Sequence, residues 1–310
     1  MDKELNFRVA RRLDEVAQLL SEQEANRFRV QAYRHAAETL RQLPKSVGDI
    51  VKEEGEQGLR KLPAIGETLA RAIATIVTTG QLPMLHRLRG ESDSELLLAS
   101  VPGVGRVLAA RLHHNLGIDT LEQLEAAAHD GRLKKVAGLG EKKVAGIIDS
   151  LASRLGRLSR PGNMMRSREP TVAELLDVDR EYREKAAAGH LRTVAPRRFN
   201  PTREAWLPIL HTERGSRHYT ALFSNTALAH QLEKTSDWLV LYYDGEAGEG
   251  QCTVITSQRG PLAGKRVVRG RENECADYYR QTQNRAAATN SAATSKQTSD
   301  ASPISAGQPL

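Results

Sequence analysis

The chain has 310 residues, of which 39% are hydrophobic and 27% charged, and its net charge is +7. That length accommodates about two globular domains with connecting segments, and no apolar run approaches the ~18 residues of a membrane span. The basic balance favours an anionic partner, most simply nucleic acid, although a merely soluble basic protein would share it.

The first segments are helical. Leu5, Val9, Leu13, Val16 and Leu20 recur at three to four residues and define an amphipathic helix. A second is expected from about Phe28 to Leu43, with Pro44 stopping it, and Ser46 caps a third around Val47 to Lys52. A short turn at Leu59 to Leu62 precedes a helix over Gly66 to Thr79, closed by Gly80. A second unit begins near Pro83, with helices from Asp93 or Ser94 to Ser100, from Gly105 to Leu116, from a capping box at Thr120 and Gln123 to about His129, and from Gly140 to about Leu158. The expected division is 1–82, 83–158, a linker at 159–170, a domain at 171–280 and a disordered tail at 281–310 rich in Ser, Thr, Ala and Gln.

Beyond the linker the composition changes: both tryptophans and all but one of the seven tyrosines follow residue 180. Thr171 caps a short helix, and Asp177 or Asp179 caps another that Gly189 ends. Strands are expected at Trp206–Thr212, His218–Phe223, Trp238–Tyr243, Cys252–Thr256 and Lys265–Val268, with helices at Ala227–Lys234 and Asn273–Tyr279 and an acidic hairpin loop at Asp244–Gly250. The fold class is therefore an all-α first half followed by a small α+β domain with a mostly antiparallel sheet. Cys252 and Cys275 make no disulfide framework and read as reduced thiols of a cytoplasmic protein. The charged start, Met1-Asp2-Lys3-Glu4, does not read as a signal peptide.

Three glycine turns punctuate the helical half: Leu62-Pro63-Ala64-Ile65-Gly66, Val101-Pro102-Gly103-Val104-Gly105 and Val136-Ala137-Gly138-Leu139-Gly140. Their last glycines lie 39 and 35 residues apart, a repeat of one unit. Each turn joins two helices, and the second helix begins with unpaired N–H groups and a partial positive charge. Glycine permits close approach of another backbone, so each turn reads as a phosphate seat. Gly103, Val104, Gly105, Gly138, Leu139 and Gly140 are the leading candidates for phosphate contact, with Ile65 and Gly66 in the weaker first copy; a plain turn between packed helices is the alternative. Arg106, Lys142 and Lys143 stand in the first turn of a following helix, where a cation is disfavoured unless an anion is present.

These turns, together with Phe28-Arg29-Val30-Gln31-Ala32-Tyr33-Arg34, Leu116-Gly117-Ile118-Asp119-Thr120-Leu121 and Gly138-Leu139-Gly140-Glu141-Lys142, resemble the amino-terminal helix-hairpin-helix region (SAM-like units) of family X DNA polymerases, over about residues 5 to 155. The resemblance implies binding at gapped, nicked or 5′-phosphorylated DNA, with Tyr33 and Arg34 in the 5′-phosphate pocket. It also implies a monovalent cation, K+ or Na+, held by the carbonyls of Leu62, Ile65, Val101 and Val104. In that family a lysine six residues beyond the first turn forms a Schiff base at abasic sites; here that position is Ala72, and Arg71 cannot replace an amine nucleophile. Lys45 and Lys61 are the nearest alternatives.

The polymerase palm is not recognisable. Asp177 and Asp179 alternate as palm carboxylates do, but no Gly-Ser turn precedes them and a helical pattern follows. The phosphoesterase clusters that many bacterial members append are also not evident. In the second domain Arg192, Arg197, Arg198 and Arg203 surround Phe199, which fits a second nucleic-acid surface or a solvated loop. His211, Glu213 and His218 fit a metal-dependent nuclease or structural polar residues. The expectation is a sequence-independent DNA-binding protein of repair, cytoplasmic and nucleoid-associated, without polymerase activity. The alternatives are a repair enzyme, either a lyase with an off-pattern lysine or a nuclease, and an adaptor whose second domain binds a protein.

Overall fold

A computed structural model of the chain describes residues 3–90, 94–155, 169–245 and 248–284. α1 (Lys3–Glu22) and α2 (Arg27–Gln42) pack as an antiparallel pair, and the Asn26 side chain accepts the Phe28 N–H to cap α2. Their inward stripes, Val9, Leu13, Val16 and Leu20 against Val30, Tyr33, Ala37 and Leu40, are buried. α3 (Val47–Arg60) starts at the Ser46 cap but continues past Lys52 through a kink at Gly55, where φ is +63°; glycine adopts that backbone without a Cβ penalty. α4 (Glu67–Thr79) stops at Gly80 in the left-handed conformation. α5 (Pro83–Leu88) has proline in its first turn, and Met84, Leu85 and Leu88 complete the core of α1 to α4.

The second helical unit contains α6 (Ser94–Ala99), α7 (Arg106–Leu116), α8 (Leu121–His129), a 3-10 turn at Arg132–Lys135 and α9 (Glu141–Arg154). It has its own core of Leu98, Leu112, Leu124, Ile147 and Leu151. Both bonds of the expected capping box at Thr120 and Gln123 are formed. Most of the expected linker, residues 159–168, lies outside the described residues.

The C-terminal domain opens with α10 (Val172–Ala187), capped by Thr171. It is one helix rather than two. Asp177 and Asp179 sit in its middle and are not caps, because no glycine or proline interrupts the segment and both carboxylates are engaged by arginines of the sheet. Next come β1 (Arg192–Val194), β2 (Leu207–Arg214), β3 (Arg217–Phe223), α11 (Ala227–Gln231), β4 (Leu239–Gly245), β5 (Gly248–Thr256) and β6 (Arg266–Val268). The six strands are antiparallel and lie side by side in chain order. β1 is three residues long, too short to show a period.

Of the acidic stretch expected as a loop at 244–250, the described residues 244–245 and 248–250 are strand. Asp244 pairs with Glu249 and Gly245 with Gly248 in the β4–β5 ladder, and Asp244 is fixed by the His218 N–H and by Arg29. Residues 272–284 form a last helix, α12, so 281–284 extend it; the expected tail from 285 lies outside the described residues.

Alternation along the strands gives the sheet two covered faces. Leu210, Tyr219, Leu241 and Val254 pack on Leu175 and Tyr182 of α10. Ile209 and Leu222, on the opposite face, join the core of the first helical unit. Among the described residues no helix is long and apolar enough to cross a membrane.

Candidate nucleic-acid interface

Each glycine turn is closed by one backbone bond. The N–H of Ile65, Val104 and Leu139 donates to the carbonyl of Leu62, Val101 and Val136 at 3.3, 2.9 and 3.1 Å. The donors' side chains are buried and anchor the turns to their cores. The residue before each is left-handed: Ala64 at φ +60°, Gly103 at +85° and Gly138 at +93°. This conformation explains glycine at the latter two positions.

The closing glycines need a different explanation. Gly66 and Gly105 have ordinary extended backbone, at φ −79° and −77°, and no side chain caps the helices they open. A Cβ added at Gly66, Gly105 or Gly140 would meet nothing within 4 Å. All three are exposed. Internal packing therefore leaves these positions free for any residue, and the absent side chain leaves room for a group outside the protein. An uncapped helix start, with N–H donors and partial positive charge, suits an anion there.

The cations predicted beside the turns are exposed. Arg106 donates to the Thr79 carbonyl at 3.3 Å and so reaches from the second turn to the end of α4. Lys143 donates to the Gly138 carbonyl at 3.2 Å, within the third turn. Lys142 faces solvent on the same helix start. The carbonyls of Leu62 and Val101 each accept one turn N–H, which leaves a second lone pair on each oxygen.

Tyr33 and Arg34 point in different directions. Arg34 is exposed, whereas Tyr33 is buried and its hydroxyl donates to the Met84 sulfur at 3.3 Å. Burial raises the Tyr33 pKa. Tyr33 lines a cavity of about 470 Å³ together with Arg29, Arg71, Ala72, Pro102 and Asp244. The position where the resembled family carries lysine, Ala72, is thus placed beside a real cavity, and of the α4 residues that line it, Thr68, Arg71, Ala72 and Thr75, Arg71 is the one basic side chain. Lys45 and Lys61 lie on the surface, 2.5 Å from Glu53 and Glu54 respectively. The Glu53 hydrogen bond raises the Lys45 pKa and keeps that amine protonated.

The remaining candidates belong to the structure of the C-terminal domain. Asp177 binds Arg180 and Arg214, and Asp179 binds Arg266 at 2.6 Å. His211, Glu213 and His218 do share one sheet face and line a cavity of about 250 Å³ with Arg29. However, His211 is held between Gln23, 2.9 Å from Nε2, and Thr220, 3.1 Å from Nδ1. Burial, reinforced by Arg29 and Arg87, pushes its pKa down to about 3 and keeps it neutral. Of the basic stretch, Arg192 pairs with Glu24 and Arg198 with Asp119, while Arg197 and Arg203 face solvent. Phe199 is exposed with its ring 4.3 Å from that of His230.

The seam between the first helical unit and the sheet escaped the sequence. Arg29 meets Asp244 at 3.3 Å, and Arg87 both pairs with Glu249 and lies 3.8 Å over the Tyr242 ring. These partners are 215 and 162 residues apart in the chain, so no local pattern links them.

Residues 4–82 match the family described as helix-hairpin-helix domain, and residues 95–153 the SAM-like helix-hairpin-helix tandem. Over 144 residues the chain is 27% identical to the DNA polymerase/3'-5' exonuclease PolX of Bacillus subtilis (strain 168). That match covers 46% of this chain and 24% of the relative, so the chain spans about a quarter of the curated protein it matches. Helix-hairpin-helix domains indicate DNA binding, and the first half of this chain is a helix-hairpin-helix region of the kind found in family X polymerase-like proteins.

Proposed function

We propose that the chain grips DNA by its phosphates, without regard to sequence, at gaps or 5′-phosphorylated ends during repair, in the cytoplasm on the nucleoid. The carrying observation is that Gly66, Gly105 and Gly140 have open space where a Cβ would stand, on helix starts that face solvent. Gly103 to Gly105 with Arg106, and Gly138 to Gly140 with Lys142 and Lys143, form the two main seats. The carbonyls of Leu62 and Ile65, and of Val101 and Val104, are the donors for a bridging K+ or Na+. The helical units at 1–82 and 83–158 carry the binding, and the domain at 171–280 braces them or holds a protein partner. Polymerase activity is not part of this reading, because the Asp177 and Asp179 carboxylates are both occupied by arginines.

Gel-shift titration on a 5′-phosphorylated gapped duplex tests the proposal. Affinity should fall steeply as salt rises, since each neutralised phosphate contributes about −0.9 to the slope of log K against log salt. Gly105→Glu with Gly140→Glu should weaken binding by about 100-fold or more, from the loss of charge-assisted bonds at about 1.5–3 kcal/mol each. Salt-independent affinity, or undiminished binding by the double variant, would overturn it. Primer extension by the full chain on the same duplex would overturn the non-polymerase part.

A further inference from the structure

We infer that Glu95, His113 and His114 form a zinc site that ties together the two helices flanking the second glycine turn. Glu95 stands in the first turn of α6, and the two histidines in the last turn of α7. Since α6 and α7 pack against each other across the turn at Val101–Gly105, these ends meet at the side away from the exposed glycines. One ligand atom from each of the three residues lies within 4.8 Å of the other two. Nε2 of His114 is 3.0 Å from Oε1 of Glu95. Two ligands at about 2.0–2.1 Å from a tetrahedral zinc lie roughly 3.3 Å apart, so small rotations bring the set to bonding distance.

The donor chemistry selects the ion. Two imidazoles and a carboxylate suit zinc, whereas magnesium and calcium prefer an all-oxygen shell. The Asp119 carboxylate adds negative charge beside the set: its Oδ1 is 3.0 Å from Nδ1 of His113. That nitrogen is buried and makes no hydrogen bond. Asp119 is itself only 4% exposed and is held by Arg198 and by the Ala227 N–H. A small turn of the His113 ring lets its Nδ1–H donate to Asp119, and a carboxylate accepting from the ring is the usual companion of a metal-bound imidazole. His114 is exposed, so water completes the shell.

The fold has a use for such a tie. α6 has six residues, well below the ~12–15 at which an isolated helix holds in water, yet it carries one wall of the second phosphate seat. A zinc ion bridging it to α7 stabilises this hairpin without entering the DNA-facing turn. The site is read from the ligand set alone and does not depend on DNA binding.

Calorimetric titration of the tag-free full chain with zinc chloride, without DNA, tests the inference. One ion should bind per chain, and zinc should raise the melting temperature by mass action. Cobalt in place of zinc should give the visible absorption of a low-coordinate nitrogen and oxygen site. His114→Ala, at an exposed position, and Glu95→Gln should keep the zinc-free melting temperature and weaken binding at least ~10-fold. Absence of stoichiometric binding would leave an ordinary Glu–His ion pair and overturn the site. Equal binding by both variants would place the ion elsewhere and overturn it as well.

Discussion

The exposed glycine turns and the buried seam under the sheet use the same residue types in opposite ways. At the turns, Arg106, Lys142 and Lys143 face solvent at helix starts, and no side chain caps the one that Arg106 opens. At the seam, Arg29 and Arg87 are about one-tenth exposed and neutralised by Asp244 and Glu249. A cation already paired inside the protein has little attraction left for an outside anion, and separating a buried pair is expensive. Under the proposed function, partner binding falls to the turns and domain cohesion to the seam. Substitutions in the two regions should therefore separate affinity from stability.

The largest effect is expected at the seam. Asp244→Ala leaves the Arg29 guanidinium buried without its partner and should lower unfolding stability by about 3–5 kcal/mol, while DNA affinity of the folded protein stays unchanged; denaturant titration and gel shift read the two. The double turn variant Gly105→Glu with Gly140→Glu should show the reverse. Its affinity loss should come with a melting temperature close to that of the parent, because the new side chains enter open space.

The seam should also respond to pH through His211. The unfolded imidazole titrates near pH 6.5, and the folded one at about 3 because burial disfavours its charged form. Below about pH 6.5 the unfolded chain takes up a proton that the folded chain refuses. Stability from this group is therefore complete above that value, and is lost as pH falls toward 3, by about 2 kcal/mol between pH 7 and 5. Denaturant midpoints across that range should show a shallower slope in His211→Asn; an identical slope would remove His211 from the account.

The smallest effect refines the comparison within the turns. Ala64 adopts φ +60° where Gly103 and Gly138 adopt +85° and +93°, and alanine is strained there. Ala64→Gly should stabilise the chain by about 0.5–1 kcal/mol, the relief of that strain less the greater freedom of the unfolded glycine. Thermal unfolding checks it. The first turn keeps its shape despite the alanine because Ile65 is anchored in the core.

Helix starts and stops were legible because they depend on neighbours in sequence. Ser46, Thr120 and Thr171 bond backbone N–H groups two or three residues away, and Gly80 ends its helix by its own backbone. The turns were legible for the same reason, down to the departure at Ala64. The local rules failed where a distant partner decides. Asp177 and Asp179 resemble caps in sequence, but Arg214 and Arg266 hold them within one helix. The acidic stretch at Asp244 resembles a loop until Arg29 and the His218 N–H hold it in the sheet. By itself, the sequence determined the helical repeat, its glycine turns and the antiparallel class of the second half. Only the tertiary structure decided that this sheet covers the first helical unit, that Tyr33 turns inward and Arg34 outward, and that Glu95 meets the histidines of α7. Such contacts join residues that only folding brings together, whereas caps and turns are made within a few residues of chain.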